Sequence, residues 1–321
     1  MTTATDIVLG GGGFVGRHLA GYLAGKGRPV TVVGRSVHGA AIPGIRQVSL
    51  DLYTCSAGEL EDILAPAEVI YHLAWSNLPA AAEGNVEGDL TANVGFVARL
   101  LSTIKGSQKR LVFCSSGGTV YGKSDVDAIP EDHPLRPINA YGASKVAAEI
   151  YCGLFHDAYG VDVRVARLAN PFGFGQSQDR LQGAASRFVQ LAVEGQPIEI
   201  WGDGRVVRDY IEIGDAVAGL HALGSAALNA DSPRTFNIAT GIGTDLNHLV
   251  EMIEKAFGRS VQVKYFPGRR IDAPQNVLSI NRAQAYLTWR PLVTVEQGIR
   301  RLVELSLGGV AKPGDAGVAG G

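Results

Sequence analysis

Tyr141 and Lys145 stand four residues apart in the run Tyr141-Gly-Ala-Ser-Lys145. On a helix that spacing puts a phenol and an ammonium on one face, one turn from each other. A tyrosine at its ordinary pKa of about 10 is nearly inert as a base, but a neighbouring cation favours the phenolate and lowers that value. Each unit gained is about 1.4 kcal/mol of differential stabilisation. The pair is therefore suited to moving a proton on and off a substrate oxygen. The same spacing also arises on solvated helix faces, so its meaning depends on the elements that would position it.

Those elements begin at the N-terminus. Asp6-Ile-Val-Leu9 is a short apolar run that passes directly into Gly10-Gly-Gly-Gly13-Phe-Val-Gly16, and Leu19 and Leu23 follow at helical spacing. This reads as strand, glycine turn and helix. Gly10, Gly13 and Gly16 let the backbone turn sharply, so that a pyrophosphate can rest on the N–H groups of a helix start that includes Phe14 and Val15. A glycine-rich turn without a ligand is the alternative. Pro29-Val-Thr-Val-Val33 is a second strand, after which an NAD-selective dinucleotide fold usually offers a carboxylate to the ribose. Here the residues are Gly34-Arg35-Ser36. A guanidinium and a hydroxyl suit a 2′-phosphate and favour NADP over NAD, unless Arg35 lies over the adenine or in solvent.

Val48-Ser-Leu50 is read as a third strand closed by Asp51 and Leu52 beside the adenine, and Val69-Ile-Tyr-His-Leu-Ala74 as a fourth, ending with Leu73 and Ala74 at the cofactor. His72, inside that apolar strand, reads as a satisfied core histidine. A helix over 89–103 carries Leu90, Val94, Val97 and Leu101, and Arg110-Leu-Val-Phe-Cys114 is a fifth strand running into Ser115-Ser-Gly-Gly-Thr-Val-Tyr-Gly122. Strands alternating with helices predict an α/β fold with a doubly wound parallel sheet of the Rossmann type. Ligands of such sheets bind beyond the carboxyl ends of the strands, so the glycine turn and the Ser/Thr-rich segment face one cleft. Pro130-Glu-Asp-His-Pro-Leu-Arg-Pro137 is a turn-rich lead into the helix of Tyr141 and Lys145.

Composition narrows the classes. The 321 residues exceed one ordinary small core, so a large α/β domain with an appended lobe is expected. Lys plus Arg number 29 against 31 Asp plus Glu, a formal charge of −2 that implies no nucleic-acid or membrane partner. Cys55, Cys114 and Cys152 are widely spaced without C-x-x-C, which predicts reduced, buried thiols in a cytoplasmic protein and no metal site. No basic leader or long apolar segment opens the chain. The last residues, 307–321, are rich in Gly and Ala and predict a disordered tail.

Three motifs in this order, Gly10-x-x-Gly13-x-x-Gly16, Ser-Ser…Tyr-Gly and Tyr141-x-x-x-Lys145, resemble the extended short-chain dehydrogenase/reductases of the nucleotide-sugar epimerase/dehydratase family. The likeness runs to about residue 305. Arg167-Leu-Ala-Asn170-Pro-Phe-Gly173 is similar to that family's Arg-x-x-Asn-x-x-Gly, whose asparagine meets the sugar nucleotide. Trp201-Gly-Asp-Gly204 with Arg208-Asp-Tyr210 resembles the segment whose arginine binds the diphosphate, and Arg269-Arg-Ile-Asp272 its second arginine motif. Two arginines supply charge-assisted, forked contacts to a diphosphate. The resemblance implies a nucleotide domain over 1–169 plus about 209–241, a nucleotide-sugar lobe over 170–208 plus 242–306, and a homodimer through the helices of Val94 and Tyr141. Ala143, Ala147, Ile150 and Leu154 give the second helix an apolar stripe.

The resemblance also implies hydride transfer between a nicotinamide and C4 of a nucleotide-linked hexose, with Tyr141 as base or acid and Lys145 on the ribose. The chain departs from the pattern at one place: the hydroxyl expected four residues before the Tyr-Gly of this segment is Gly117. Ser116 and Thr119 are the hydroxyls at hand, Ser116 for the reacting oxygen and Thr119 for orienting the sugar. Gly118 and Thr119 replace the Asp-Glu pair that 4,6-dehydration needs, which argues against a dehydratase. Two enzymatic readings stay open, a 4-epimerase and an NADPH-consuming 4-ketoreductase, beside a non-catalytic nucleotide sensor or scaffold.

Overall fold

Apolar strand residues that alternate between the two faces of a parallel sheet must be covered on both, and this rule sets the architecture. The computed structural model describes residues 5–35, 43–76, 79–176, 183–268 and 273–308. The chain runs β1 (Thr5–Leu9), α1 (Phe14–Gly25), β2 (Val30–Gly34), β3 (Ile45–Ser49), α2 (Ala57–Leu64), β4 (Ala67–His72), α3 (Pro79–Gly84), α4 (Val86–Ile104), β5 (Arg110–Ser116), α5 (Ala140–Tyr159) and β6 (Asp162–Leu168). It continues through β7 (Asn170–Phe172), α6 (Ala184–Val193), β8 (Ile198–Trp201), β9 (Val207–Glu212), α7 (Ile213–Ser225), β10 (Thr235–Ile238), β11 (Gly243–Asp245), α8 (Leu246–Phe257), β12 (Val263–Phe266), β13 (Gln275–Asn276), α9 (Asn281–Leu287) and α10 (Val295–Leu307).

Seven strands form one parallel sheet in the order β10-β6-β5-β4-β1-β2-β3. This is the doubly wound α/β fold expected from the sequence. Within β1, Val8 faces the core beneath α1, α7 and α9, whereas Ile7 and Leu9 face the core beneath α2, α4 and α5. Burying one such aliphatic side chain stabilises by about 1.5–3 kcal/mol. A third core joins α6, α8 and α10 to β8 and β9 through Phe188, Ile200, Tyr210, Leu249 and Ile299. Over it lie two small sheets, β11-β9-β13 with β7 added to β9, and β12-β8.

Strand β9 pairs in the smaller sheet, so the chain's return to the large sheet begins with α7 rather than at 209. Ala283, Leu287 and Trp289, assigned by the sequence to the lobe, pack into the core shared by α1 and α7. Apolar spacing on a short helix states that a face is buried but not against which core. The stretch 309–321 lies outside the described residues, and α10 extends through Leu307. Among the described residues no helix is long and apolar enough to cross a membrane.

Candidate functional site

The glycine turn is built by close approach. Gly10 adopts φ +88°, and a Cβ there would lie 2.6 Å from the Ala74 nitrogen at the end of β4. A Cβ on Gly16 would meet the Gly10 carbonyl at 2.3 Å. No other residue type keeps helix and turn this close. Gly13 is the N-cap of α1 and no side chain caps it, so the first N–H groups of the helix remain suited to an anion. Phe14 and Val15 follow, half-buried against the core.

Beyond these strand ends lies a cavity of about 420 Å³. Its walls bring together Gly10, Gly13, Arg35, Asp51, Leu52, Leu73 and Ala74, all expected at the cofactor, and add Tyr53 and Trp75, which were not. Ser36 lies outside the described residues. Asp51 holds its loop by accepting from the Tyr53 N–H at 3.0 Å. A dinucleotide's adenosine and pyrophosphate fit this chemistry: a cradle that any Cβ would fill, apolar walls at Leu52 and Leu73, and a guanidinium at the rim.

Helix α5 presents the proton-transfer pair. Asn139 caps it, its side chain accepting from Gly142 N–H at 2.7 Å, and Gly160 ends it in the left-handed conformation. Tyr141 is therefore in the first turn and Lys145 one turn on, buried. The Lys145 Nζ donates to the Cys114 carbonyl at 2.8 Å and lies 3.6 Å from the centre of the Trp75 ring. It is 5.7 Å from the centre of the Tyr141 ring.

The structure changes one expectation about this pair. Desolvation, then the neighbouring Cys114 and Asp89, pushes the Tyr141 phenol above its ordinary value. The ammonium instead loses to burial, which outweighs Cys114, Glu149 and Asp89 and brings it down to about 8. The ordinary tyrosine–lysine argument assumes solvent on both groups; here burial dominates.

Ser116 ends β5 and Thr119 follows one turn later, its N–H donating to the Ser116 carbonyl at 3.2 Å. The segment packs on the start of α5: a Cβ on Gly142 would meet the Thr119 carbonyl at 2.8 Å. Gly117 points elsewhere. Its Cβ would fall 2.3 Å from Leu278 Cδ1 and 3.2 Å from the Arg167 carbonyl, inside packed protein. The Gly117 carbonyl accepts from Asn276 Nδ2 at 3.1 Å.

Asn276 pairs in register with Arg208, which donates to the Val207 and Ala273 carbonyls at 2.9 and 2.8 Å. Asn170 donates to the Asp209 carbonyl at 2.8 Å, and its Oδ1 lies 3.4 Å from where a Gly118 Cβ would sit. Asn170 thus borders Gly118, and Asn276, the register partner of Arg208, borders Gly117, both from the smaller sheet. Arg269 lies outside the described residues. Asp209 ties this edge to the large sheet, accepting from Thr240 N–H at 2.9 Å, Gly241 N–H at 2.9 Å and Leu278 N–H at 3.3 Å.

Behind the pair is a buried polar network. Glu149, one turn after Lys145, accepts from the Ser115 hydroxyl and from Arg167, whose Nη2 donates to its Oε2 at 2.7 Å. Arg167 also donates to Tyr121 Oη at 2.9 Å, and Tyr121 to Asn237 Oδ1 at 2.7 Å. Helix α5, strands β5, β6 and β10 and the Ser/Thr segment are thereby locked together. His72 is buried between Phe96 and Phe113, but among the described residues neither ring nitrogen has a partner. It is a core histidine without the satisfied hydrogen bonds the sequence reading expected, and burial, then Lys145, pushes it down to about 3.

A family model, the NAD dependent epimerase/dehydratase family, matches residues 7–239. The chain belongs to that family, enzymes of the extended short-chain dehydrogenase/reductase type. The solved UDP-glucose 4-epimerase of Thermotoga maritima with UDP-glucose is 29% identical with a TM-score of 0.86, covering 94% of this chain and 97% of that one. The Thermus thermophilus UDP-glucose 4-epimerase in complex with NAD is 27% identical with a TM-score of 0.84, covering 95% and 100%. The dTDP-4-dehydro-6-deoxyglucose reductase of Escherichia coli is 30% identical over 308 residues, 93% of this chain and 96% of its own.

Proposed function

We propose that the chain is a nucleotide-sugar 4-epimerase, inverting C4 of a UDP- or other NDP-hexose through a 4-keto sugar. The observation that carries it is adjacency: Trp75, on the wall of the cavity that the glycine turn lines, lies against both Tyr141 and Lys145, in a chain similar over nearly its whole length to UDP-glucose 4-epimerases. A bound nicotinamide dinucleotide would supply the hydride acceptor and donor. Backbone N–H groups of Gly13, Phe14, Val15 and Gly16 would hold its pyrophosphate, and Arg35, Asp51, Leu52, Leu73 and Ala74 would frame the adenosine end.

In this reading Tyr141 takes the proton of the C4 hydroxyl and returns it on the other face. Burial keeps its phenol protonated, so the base form needs a cation beside it, and Lys145 is the cation one turn along the helix. Ser116 donates to the C4 oxygen and Thr119 orients the sugar. Asn170 meets the sugar nucleotide, and Arg208 and Arg269 hold its diphosphate. With Gly118 and Thr119 in place of a carboxylic acid pair, the site has no residue set for dehydration at these two positions.

NAD is the cofactor of the Thermus thermophilus complex, and Arg35 on the cavity wall suits NADP. That guanidinium and the reductase relative favour, as a second reading, an NADPH-dependent 4-ketoreductase. A homodimer through α4 and α5 is part of the proposal, because α5 leaves Ile150 66% and Leu154 48% exposed and α4 leaves Leu90 47% exposed. Three free cysteines suit a reducing, cytoplasmic setting.

Proton NMR of the purified protein with UDP-glucose, no coenzyme added, tests the proposal. Anomeric signals of UDP-galactose support it. Reduction of an NDP-4-keto-6-deoxyhexose that requires added NADPH moves the assignment to the reductase, and no turnover of UDP- or dTDP-hexoses in either assay overturns both.

A further inference from the structure

Trp75 entered through the fold, not through a motif. It follows β4, lines the dinucleotide cavity and touches both members of the proton-transfer pair. Its ring stands edge-on to Tyr141, 6.0 Å between centroids at 70°, and also meets Phe113 at 6.1 Å. Its face carries the Lys145 ammonium at 3.6 Å, closer than the ring of Phe113 at 5.0 Å. The indole Nε1 is buried without a partner among the described residues.

An ammonium taken out of water keeps its charge only where other groups replace the lost hydration. The groups facing Lys145 do so in part. From β5 come the Cys114 carbonyl and thiol; from α5 Tyr141, Glu149 and Cys152; from α4 Asp89; and from β4 His72, whose charged form would oppose it. Glu149 is already committed to Ser115 and Arg167. The indole face is the polarisable surface in direct contact, and tryptophan is the strongest of the aromatic partners for a cation.

We propose that Trp75 is a positioning residue, whose indole face holds Lys145 as an aimed cation at the cofactor cavity and whose edge aligns Tyr141. The inference rests on the reading of Lys145 as a working member of the site, so its test is chosen to stand apart from turnover. A desolvated cation–π contact of this kind is of the size that moves an amine by roughly one pKa unit.

The experiment is a carbon-13 NMR titration of the Lys145 Cε in the purified protein, assigned by loss of the signal in Lys145→Met. It compares the parent, Trp75→Leu, Trp75→Phe and the protein grown on 5,7-difluorotryptophan. The expected result is a fall of roughly one unit for Trp75→Leu and a smaller fall for Trp75→Phe. Difluorotryptophan, which keeps shape and weakens the negative ring face, should give a fall between zero and that of Trp75→Leu; it needs no altered packing and decides the matter should Trp75→Leu fail to fold. The alkaline limb of kcat should move with the titration, and Trp75→Phe should rescue most of the kcat lost in Trp75→Leu. An unchanged Lys145 titration in both the leucine and the fluorinated proteins overturns the proposal. A shifted titration in a protein without nucleotide-sugar activity would instead retain the contact and refute the catalytic reading.

Discussion

Gly117→Ser would put a hydroxyl back where the family resemblance places one, and the structure predicts that it fails. The new Cβ would start 2.3 Å from Leu278 Cδ1 and 3.2 Å from the Arg167 carbonyl. Leu278 is fully buried, and the Gly117 backbone is pinned by its N–H donating to Leu168 at 2.8 Å and its carbonyl accepting from Asn276 at 3.1 Å. Neither side yields freely, so overpacking should cost about 1–3 kcal/mol. At roughly 2–4 °C per kcal/mol for domains of about this size, calorimetry would read a clear drop in Tm. The hydroxyl would enter packed protein rather than the cleft, so kcat should not rise. Leu278→Val should relieve part of the cost, with a coupling of roughly 0.5–3 kcal/mol in the double-mutant cycle. A serine variant with the parent's Tm and a tenfold higher kcat would refute the reasoning, and would return the catalytic hydroxyl to residue 117.

Tyr141→Phe should abolish turnover and leave cofactor affinity, read by calorimetric titration, nearly unchanged; activity within tenfold of the parent removes Tyr141 from the chemistry. Ser116→Ala should lower kcat roughly tenfold to a thousandfold with KM little changed, whereas Thr119→Val should act mainly on KM. The reverse pattern would transfer the donor role to Thr119. Ile150→Glu with Leu154→Glu should convert a dimer to the 33.8 kDa monomer in light scattering; a parent already at monomer mass contradicts the interface. His72 binds its proton in the unfolded chain near 6.5 but in the folded chain only at about 3, so stability falls as pH drops through that window. The loss is about 2 kcal/mol at pH 5, and His72→Leu should remove that part of the acid sensitivity in urea titrations. Parallel pH profiles for parent and variant would contradict it.

The elements legible in the sequence were those whose signal is local. Glycines 10, 13 and 16 mark a turn by themselves, and the apolar periodicity of residues 89–103 marks a helix. β6 was hidden because Arg164 and Arg167 interrupt its apolar run. Both are buried all the same, Arg164 donating to the Leu223 carbonyl at 2.5 Å and Arg167 forked on Glu149. Those partners are far away in sequence, and no window of residues reveals them. Trp75 was missed for the same reason: it lies seventy residues before Lys145, and only the pairing of β4 with β5, on which α5 packs, brings the ring to the ammonium. The Tyr-x-x-x-Lys spacing reports proximity, whereas the direction in which the Tyr141 phenol shifts is set first by burial.

The central claim is that one sugar is oxidised and re-reduced at C4 without net consumption of coenzyme. Turnover of UDP-glucose carrying deuterium at C4, followed by mass and NMR analysis of the product, tests it directly. The account predicts UDP-galactose that retains the deuterium at C4, with no reduced coenzyme released. Deuterium lost to free reduced coenzyme, or a C4 hydrogen drawn stoichiometrically from added NADPH, would contradict it.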